Sequence, residues 1–326
     1  MAGGGVMTSG VRQLDLAEWE ARVRDYLAFR NLLGFSLRTT GAELLSFARH
    51  LQEIGHTGPL TTASAIRWAR LPVNAKPQYW AWRLHAVRMF AKHLAATDAR
   101  HEVPPAGALG RAFTRANPHI YAPEEIRALL EEARSLSPVR GLPPHTYRTF
   151  FGLLASTGLR CGEALALRRE HVDLMQGRLL VLKAKLGKTR ALPLHPTTVE
   201  ALRAYARLRD ATFTWRKSDA FFLSRRATTL TYERVTLTFR ELRRRLGWDR
   251  LDPMPRVHDL RHTFAVRNLL RWCQAGVDVD GKIISLTAYL GHVKPTSTYW
   301  YFSAIPELMA IAGKRFEAYA RVGGDR

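Results

Sequence analysis

The chain has 326 residues, 46% of them hydrophobic, so it can bury the core of one large domain or of two medium ones. Its charge is unbalanced, with 50 Lys and Arg against 28 Asp and Glu, a formal net charge of +22, which points to a polyanionic partner. Because the basic residues are spread along the chain, they favour a broad nucleic-acid surface over a lipid-binding patch.

The cysteines and the hydropathy narrow the class of protein further. Cys161 and Cys273 fit no metal-ligand spacing and no disulfide framework, which agrees with a reducing cytosol. The sequence has no run of about 18 apolar residues, and its Gly-rich start lacks the apolar stretch of a signal peptide. We therefore expect a cytoplasmic protein whose residues 1–13 form a disordered lead-in.

Residues 14–96 predict a helical domain. The pattern is clearest over 79–95, where apolar side chains recur at helical spacing. Arg88 and Lys92, four residues apart, share another face of this helix and are candidate DNA contacts. For this helix alone, an ordinary solvated face is the simpler explanation.

Residues 97–118 have the composition of a linker. Five Pro and Gly residues interrupt any periodicity there: Pro104, Pro105, Gly107, Gly110 and Pro118. Arg111, within this stretch, is a candidate for contact with a phosphate backbone. A new helix is predicted after Ala122, because Pro123 and two acidic residues occupy its first turn.

Residues 119–326 predict a second domain, mainly helical with a small β-sheet. The segments 178–185 and 190–194 are typical of a β-hairpin with a basic tip. Further helices are predicted over 196–208, 232–246, 258–271, 281–290 and 306–320.

The stretch 225–250 is the most basic part of this second domain. It holds eight arginines against three acidic residues, and Arg225 and Arg244 are its candidate DNA contacts. A solvated helix face explains the charge equally well, so both interpretations stay open here.

Four short motifs carry residue types suited to phosphoryl-transfer chemistry. STGLRCGE places Arg160 after a Gly turn, and the hairpin tip presents Lys185 and Lys188. HDLRH and LGH follow, and Tyr301 lies nine residues beyond the histidine of LGH. Each alone has an ordinary explanation, such as a surface arginine or an aromatic core residue. Their combination and order indicate a function.

Together these motifs resemble the signature of the tyrosine recombinase, or phage integrase, family. The family patterns TGLRxxEhxxLxxxD and KGxKxRxVPL are matched by TGLRCGEALALRREHVD and KLGKTRALPL. HxLRHTFA is matched by HDLRHTFA, and LGHxxxxxTxxY by LGHVKPTSTYWY. The resemblance covers the second domain and is specific there. Residues 14–96 are similar to the family's core-binding domain only in size and position.

The resemblance implies six catalytic residues: Arg160, Lys185, His258, Arg261, His292 and Tyr301. Arginine forks suit the charge that a phosphodiester gathers on its non-bridging oxygens in the transition state. By resemblance Lys185 is the general acid for the leaving 5′ oxygen, and His258 is the candidate for general-base help. His292 would hydrogen-bond the phosphate, and Tyr301 would attack it to form a 3′-phosphotyrosine.

Two choices at this site rest on spacing. Tyr289, Tyr299 and Tyr301 all lie close to His292, and the family spacing selects Tyr301. Tyr299, two positions away on a helix, would face nearly the opposite side. Glu163, one turn beyond Arg160, is expected to orient that region and not to be catalytic.

No metal and no nucleotide cofactor is implied by this chemistry. His258 and His262 have the spacing of a zinc-protease pair, but Asp259 stands where that motif has Glu, and Arg261 would place a cation beside the metal. Gly187 to Thr189 look like the end of a phosphate-binding loop, but position 182 is Leu where that loop needs Gly. We reject both motifs.

The expected assembly is a C-shaped clamp of two domains around double-stranded DNA, with four protomers on two recombination sites. Helper recombinases or a directionality factor are further expected partners. The tail after Tyr301 predicts a helix whose apolar side chains pack either on a neighbouring protomer or in cis: Met309, Ile311, Ala312 and Phe316.

Three alternatives remain open at the level of the sequence. A type IB topoisomerase would use the same chemistry without a specific site. A non-catalytic DNA-binding regulator would explain the charge but not the catalytic set, and an RNA- or membrane-binding protein explains the charge alone. The element served, whether a mobile element, a transposon or chromosome-dimer resolution, is not readable, although the residues around Tyr301 and the tail look more like transposon-type recombinases.

Overall fold

The computed structural model describes residues 16–113, 117–137, 141–182, 189–213, 218–304, 306, 308–310 and 313. Two compact units divide the chain, Met1–Arg115 and Ala116–Arg326. No helix in the described ranges is both long enough and apolar enough to span a membrane.

The described residues of the N-terminal unit form four helices. They are α1 (Leu16–Leu32), α2 (Arg38–Glu53), α3 (Thr62–Ala69) and α4 (Pro77–Ala95). The sequence predicted helix throughout, but Gly34 and Gly55 interrupt it with positive φ values of 78° and 61°. Thr61 caps α3 by accepting the Ser64 backbone N–H, and Pro77 begins α4.

A single apolar core holds these four helices together. Its largest fully buried members come from α1, α2, α3 and α4: Trp19, Phe47, Trp68 and Phe90. The segment after α4 also packs on this core. His101 is buried and accepts the Leu60 backbone N–H at 2.9 Å, and Val103 and Leu109 contact the core. Pro and Gly prevent regular structure there without preventing packing.

The second unit is mainly helical. Its helices are α5 (Pro123–Glu132), α6 (Leu142–Thr157), α7 (Cys161–Leu165), α8 (Pro196–Thr212), α9 (Tyr232–Arg245), α10 (Asp259–Gln274), α11 (Val279–Leu290) and α12 (Thr296–Ala304). Single 3₁₀ turns lie at Ala133–Ser135, Arg169–His171 and Trp248–Arg250. The predicted helices before residue 291 agree with α8 to α11 within a few residues. The range of α12 was not among the predicted helices, although Tyr299 and Tyr301 were expected to lie on a helix.

A small antiparallel sheet accompanies these helices. Its strands are β1 (Val172–Asp173), β2 (Arg178–Val181) and β3 (Arg190–Pro193), in the order β1-β2-β3. Leu179 pairs with Leu192, and both are buried, while alternate positions on β2 face outward. The mainly helical class with a small sheet is therefore confirmed. The hairpin tip, residues 183–188, lies outside the described residues.

Two apolar clusters fill the second unit. The larger surrounds α6 and includes an aromatic group: Phe150, Phe151, Phe222 and Phe239. The smaller joins α10, α11 and α12 and includes Val266, Ile283, Leu290 and Tyr301. Leu308, after α12, is fully buried in this smaller cluster, whereas Met309 is exposed. Most of the predicted helix 306–320, with Ile311, Ala312 and Phe316, lies outside the described residues.

Candidate active site

The site is built around a tight turn at Gly158. This residue ends α6 in the left-handed conformation, with φ of 63°. A Cβ atom there would lie 2.5 Å from Phe264 of α10 and 3.1 Å from Leu290 of α11. The turn that carries Arg160 can therefore approach both helices closely only because residue 158 has no side chain.

Two arginines converge on the end of α11. Arg261 donates to the Gly158 carbonyl at 2.8 Å and to the Leu290 carbonyl at 2.7 Å. Arg160 donates to the Leu290 carbonyl at 3.4 Å and to the Gly291 carbonyl at 3.2 Å. Arg261 is only 2% exposed, whereas 38% of the Arg160 side chain reaches solvent. The two cations are thus fixed by neutral carbonyl groups at one place.

Burial affects the charge of Arg261 only slightly. Loss of water around the guanidinium, with the positive charge of Arg160 nearby, lowers the pKa of Arg261 to about 10. That pKa still keeps the group protonated at neutral pH. Both arginines therefore contribute positive charge to the site.

Glu163 anchors this positive pair. Its carboxylate accepts from Arg160 at 2.9 Å and from Arg190 at 2.8 and 3.1 Å. Burial alone would raise the pKa of Glu163, but hydrogen bonds from Arg190 and Arg160 outweigh it and lower the pKa. Arg190 also donates to the Tyr289 carbonyl at 2.8 Å. Arg190 was not among the predicted site residues, although it is the Arg of the hairpin motif KLGKTRALPL.

His292 follows the left-handed Gly291 that ends α11. Its Nδ1 lies 2.8 Å from the Thr298 hydroxyl, which is 2.9 Å from the Thr287 hydroxyl. Thr298 is fully buried and Thr287 nearly so. These contacts fix the plane of the imidazole ring beside the carbonyls that hold the two arginines.

The tyrosines near His292 occupy different environments. Tyr301 is 2% exposed, and its hydroxyl lies 2.9 Å from His262 Nδ1 on α10. Tyr299 is 43% exposed, and its hydroxyl donates to Asp280 at 3.0 Å. Tyr289 stacks on Phe264, and burial raises the pKa of Tyr289 to about 12. Of the three, Tyr301 is the one whose hydroxyl contacts the helix that carries Arg261.

His258 lies just before α10, and its ring meets the His262 ring edge-on with centroids 4.8 Å apart. Part of the ring reaches solvent, yet loss of water around the rest lowers the pKa of His258, and the Arg261 cation lowers it further. The ring is therefore neutral at pH 7. His262, which contacts both His258 and Tyr301, was considered only as a metal ligand in the sequence.

The remaining predicted residues are not gathered here. Lys185 and Lys188 lie outside the described residues. Arg88, Lys92 and Arg111 belong to the N-terminal unit, where Arg88 donates to the Pro104 carbonyl and the other two are exposed.

Arg225 and Arg244 are exposed in the second unit. Arg225 lines a cleft of about 600 Å³ together with Arg226 and Arg234. Within the described ranges, no group of three or more His, Cys, Asp or Glu side chains has an arrangement that could hold a metal ion.

Comparison with known proteins agrees with this geometry. Residues 121–307 match the phage integrase family. The chain is 38% identical over 309 residues to a putative integrase/recombinase of Sinorhizobium fredii, covering 93% of this chain and 98% of the relative. It is 29% identical to a tyrosine recombinase XerC of a Roseiflexus species, covering 86% of this chain and 87% of that one.

The fold is also shared with a solved transposon enzyme. The Tn1549 transposon integrase in complex with circular intermediate DNA superposes with a TM-score of 0.64 at 15% identity, covering 91% of this chain and 99% of that chain. The family match over residues 121–307 and the Sinorhizobium fredii relative, matched over 98% of its length, place the protein in the phage integrase family, as a tyrosine recombinase that cleaves and rejoins DNA.

Proposed function

We propose that the protein carries out site-specific recombination with Tyr301 as its nucleophile and with Arg160 and Arg261 binding the scissile phosphate. One observation carries this assignment. Arg160 and Arg261 donate to the same Leu290 carbonyl, and the Tyr301 hydroxyl contacts the residue directly after Arg261. A phosphodiester near the exposed edge of Arg160 would therefore meet positive charge and a tyrosine in one place.

The proposed reaction is a transesterification. The Tyr301 oxygen attacks phosphorus, the bond from phosphorus to the 5′ oxygen breaks, and a 3′-phosphotyrosine forms. The contacts with the Gly158 and Leu290 carbonyls engage two of the five N–H groups of the Arg261 guanidinium. His292 would hydrogen-bond the phosphate, and Lys185 would protonate the 5′ oxygen, both by resemblance to the family. The reverse steps rejoin a different strand.

The wider DNA surface is part of the proposal. We infer that the helical unit binds the duplex through Arg88, Lys92 and Arg111, while Lys188, Arg225 and Arg244 add phosphate contacts from the catalytic unit. The net charge of +22 supports such a surface, which would let the two units close on DNA as a clamp. Four protomers on two sites would supply the four strand cuts, with helper or directionality factors as further partners.

A mobile element is the setting that the relatives favour. The Sinorhizobium fredii relative at 38% identity is described as an integrase/recombinase, and the transposon integrase shares the fold. Neither a type IB topoisomerase nor a non-catalytic regulator is favoured by these matches. We propose integration, excision or transposition of such an element as the biological role.

Covalent trapping tests the nucleophile. The protein is incubated with a nicked duplex carrying the flanks of its own genomic locus, and adducts are separated on a denaturing gel. We expect an adduct that Tyr301→Phe abolishes and Tyr299→Phe retains. Loss with Tyr299→Phe alone would move the nucleophile within the same family chemistry.

A further inference from the structure

The contact between His262 and Tyr301 concerns the atom that performs the attack. The Tyr301 hydroxyl lies 2.9 Å from His262 Nδ1, and the two rings meet edge-on with centroids 5.6 Å apart. A separation of this size allows direct proton transfer between the two atoms. Tyr301 is only 2% exposed, so bulk water has little access to its hydroxyl. A protein group must take the phenolic proton when the oxygen attacks.

We propose that His262 is the catalytic residue that accepts the phenolic proton of Tyr301 during cleavage and returns it during rejoining. The inference rests on the proposed role of Tyr301 as nucleophile. It moves the general-base role from His258, where the family resemblance placed it, to the next histidine on the same face of α10.

The atoms balance in both directions. In cleavage the Tyr301 oxygen forms a bond to phosphorus, its proton moves to His262 Nδ1, and His262 becomes an imidazolium. The bond from phosphorus to the 5′ oxygen breaks, and that oxygen takes a proton from a separate acid, assigned to Lys185. In rejoining the 5′ hydroxyl gives its proton back to that group and attacks phosphorus, while the departing phenolate recovers its proton from His262.

The surroundings of His262 suit this task. Among the described residues, the rings of His258, just before α10, and of Tyr301 on α12 contact it, and Trp300 lies beside it at 5.8 Å between centroids. Arg261, the next residue on α10, interacts electrostatically with Tyr301 and favours its ionised form. Because the pKa of His258 is lowered, that neighbour stays neutral and does not repel a proton on His262. An imidazole has an ordinary pKa near 6.5, close to physiological pH, where a general base acts best.

The test follows adduct formation on the nicked duplex in single turnover as a function of pH. The wild-type rate should rise with pH and then level off once the His262 imidazole is neutral. His262→Asn places an amide near Nδ1, which can hold the tyrosine by a hydrogen bond but cannot take its proton. We expect its rate at pH 7 to fall by about 10²-fold or more, and to climb with pH toward the phenol pKa near 10.

His258→Asn is the matched control on the same helix face. If His262 is the base, His258→Asn keeps the wild-type plateau in the pH profile even if its rate is lower. A His262→Asn protein with the wild-type rate and pH profile would reduce His262 to a structural neighbour and overturn the proposal. So would a plateau that disappears in His258→Asn and persists in His262→Asn.

A wrong assignment of the nucleophile would give different adduct results from a wrong assignment of the base. An adduct that survives Tyr301→Phe would reject Tyr301 itself, whereas an adduct lost in Tyr301→Phe but formed normally by His262→Asn would reject only the role of His262. Thermal unfolding of each variant establishes that it is folded. If His262→Asn does not fold, the wild-type profile still decides, because a rate rising steadily up to the phenol pKa near 10 excludes an imidazole base.

Discussion

Two buried arginines, one in each unit of the molecule, show what separates a structural cation from one proposed to bind the substrate. Arg83 of the N-terminal unit is 4% exposed, lies 3.7 Å above the Trp68 ring and pairs with Glu43 at 3.1 Å. Arg261 of the catalytic unit is 2% exposed but is held by the Gly158 and Leu290 carbonyls. Burial lowers the pKa of both groups.

The difference lies in what balances the charge. The Glu43 carboxylate neutralises the charge of Arg83, and the face of the Trp68 ring covers its guanidinium. The charge of Arg83 is therefore balanced by groups of the fold itself. Neutral carbonyls orient Arg261 without cancelling its charge, and Arg160 adds a second cation nearby. A buried arginine is therefore informative about function only when its partners leave positive charge for an incoming anion.

The largest expected effect is on cleavage. Arg261→Lys replaces a planar fork by a single ammonium that cannot hold two carbonyls and a phosphate at once. We expect the rate of covalent adduct formation to fall by about 10²- to 10³-fold, the usual loss when an oriented donor to transition-state charge is removed. The measurement is single-turnover trapping on the nicked duplex. Arg83→Lys is the matched control, and its adduct rate per folded molecule should equal that of wild type.

The comparison of Arg83 with Arg261 predicts that Arg83 contributes to stability and not to cleavage. Arg83→Met breaks a largely buried ion pair and leaves the Glu43 carboxylate without the Arg83 charge, although the Tyr79 hydroxyl still donates to it at 2.6 Å. The N-terminal unit should therefore lose about 2 kcal/mol of stability. Urea denaturation measures this loss. Adding Glu43→Gln to Arg83→Met should recover part of it, because no unpaired carboxylate then remains. A double variant less stable than Arg83→Met would show that the pair is not what stabilises this contact.

A smaller effect should appear with pH at Glu163, whose carboxylate joins Arg160 to Arg190. The pKa of Glu163 is lowered in the folded protein from an ordinary value of 4.5. Its contribution to stability is thus fully present above that value and is lost as pH falls through the lower folded pKa. Each unit of pKa difference corresponds to about 1.4 kcal/mol. Glu163→Gln should therefore show a shallower loss of stability than wild type as the pH falls below about 4.5. Equal slopes would contradict the assignment.

Local signals in the sequence were sufficient for much of the catalytic unit. The β-forming residues of 178–185 predicted β2, and Pro123 with two acidic residues in the first turn predicted the start of α5. Residues 296–304 gave no such signal, because STYWYF carries aromatic side chains on every face of α12. Its helical form depends on packing against α10 and α11, which a local pattern does not encode.

The same limit explains the site residues that were missed. His262 and Tyr301 are 39 positions apart and meet only when α12 packs on α10. In the HDLRH motif, His262 is one of two histidines of equal appearance, and only the fold shows which of them contacts the hydroxyl. In the N-terminal unit the apolar pattern predicted helix throughout, and the positive φ values of Gly34 and Gly55 show why shorter helices replace that continuous pattern.

The hydrogen bonds from both arginines to the end of α11 have a consequence for which subunit supplies the tyrosine to each active site. Leu290 and Gly291 are fixed by Arg160 and Arg261, and only a short stretch of chain leads from them to Tyr301. As long as α12 stays packed against α10 and α11, Tyr301 remains beside His262 of its own chain. In genetic terms, a subunit lacking its tyrosine and a subunit lacking its arginine should not complement each other in a mixed assembly.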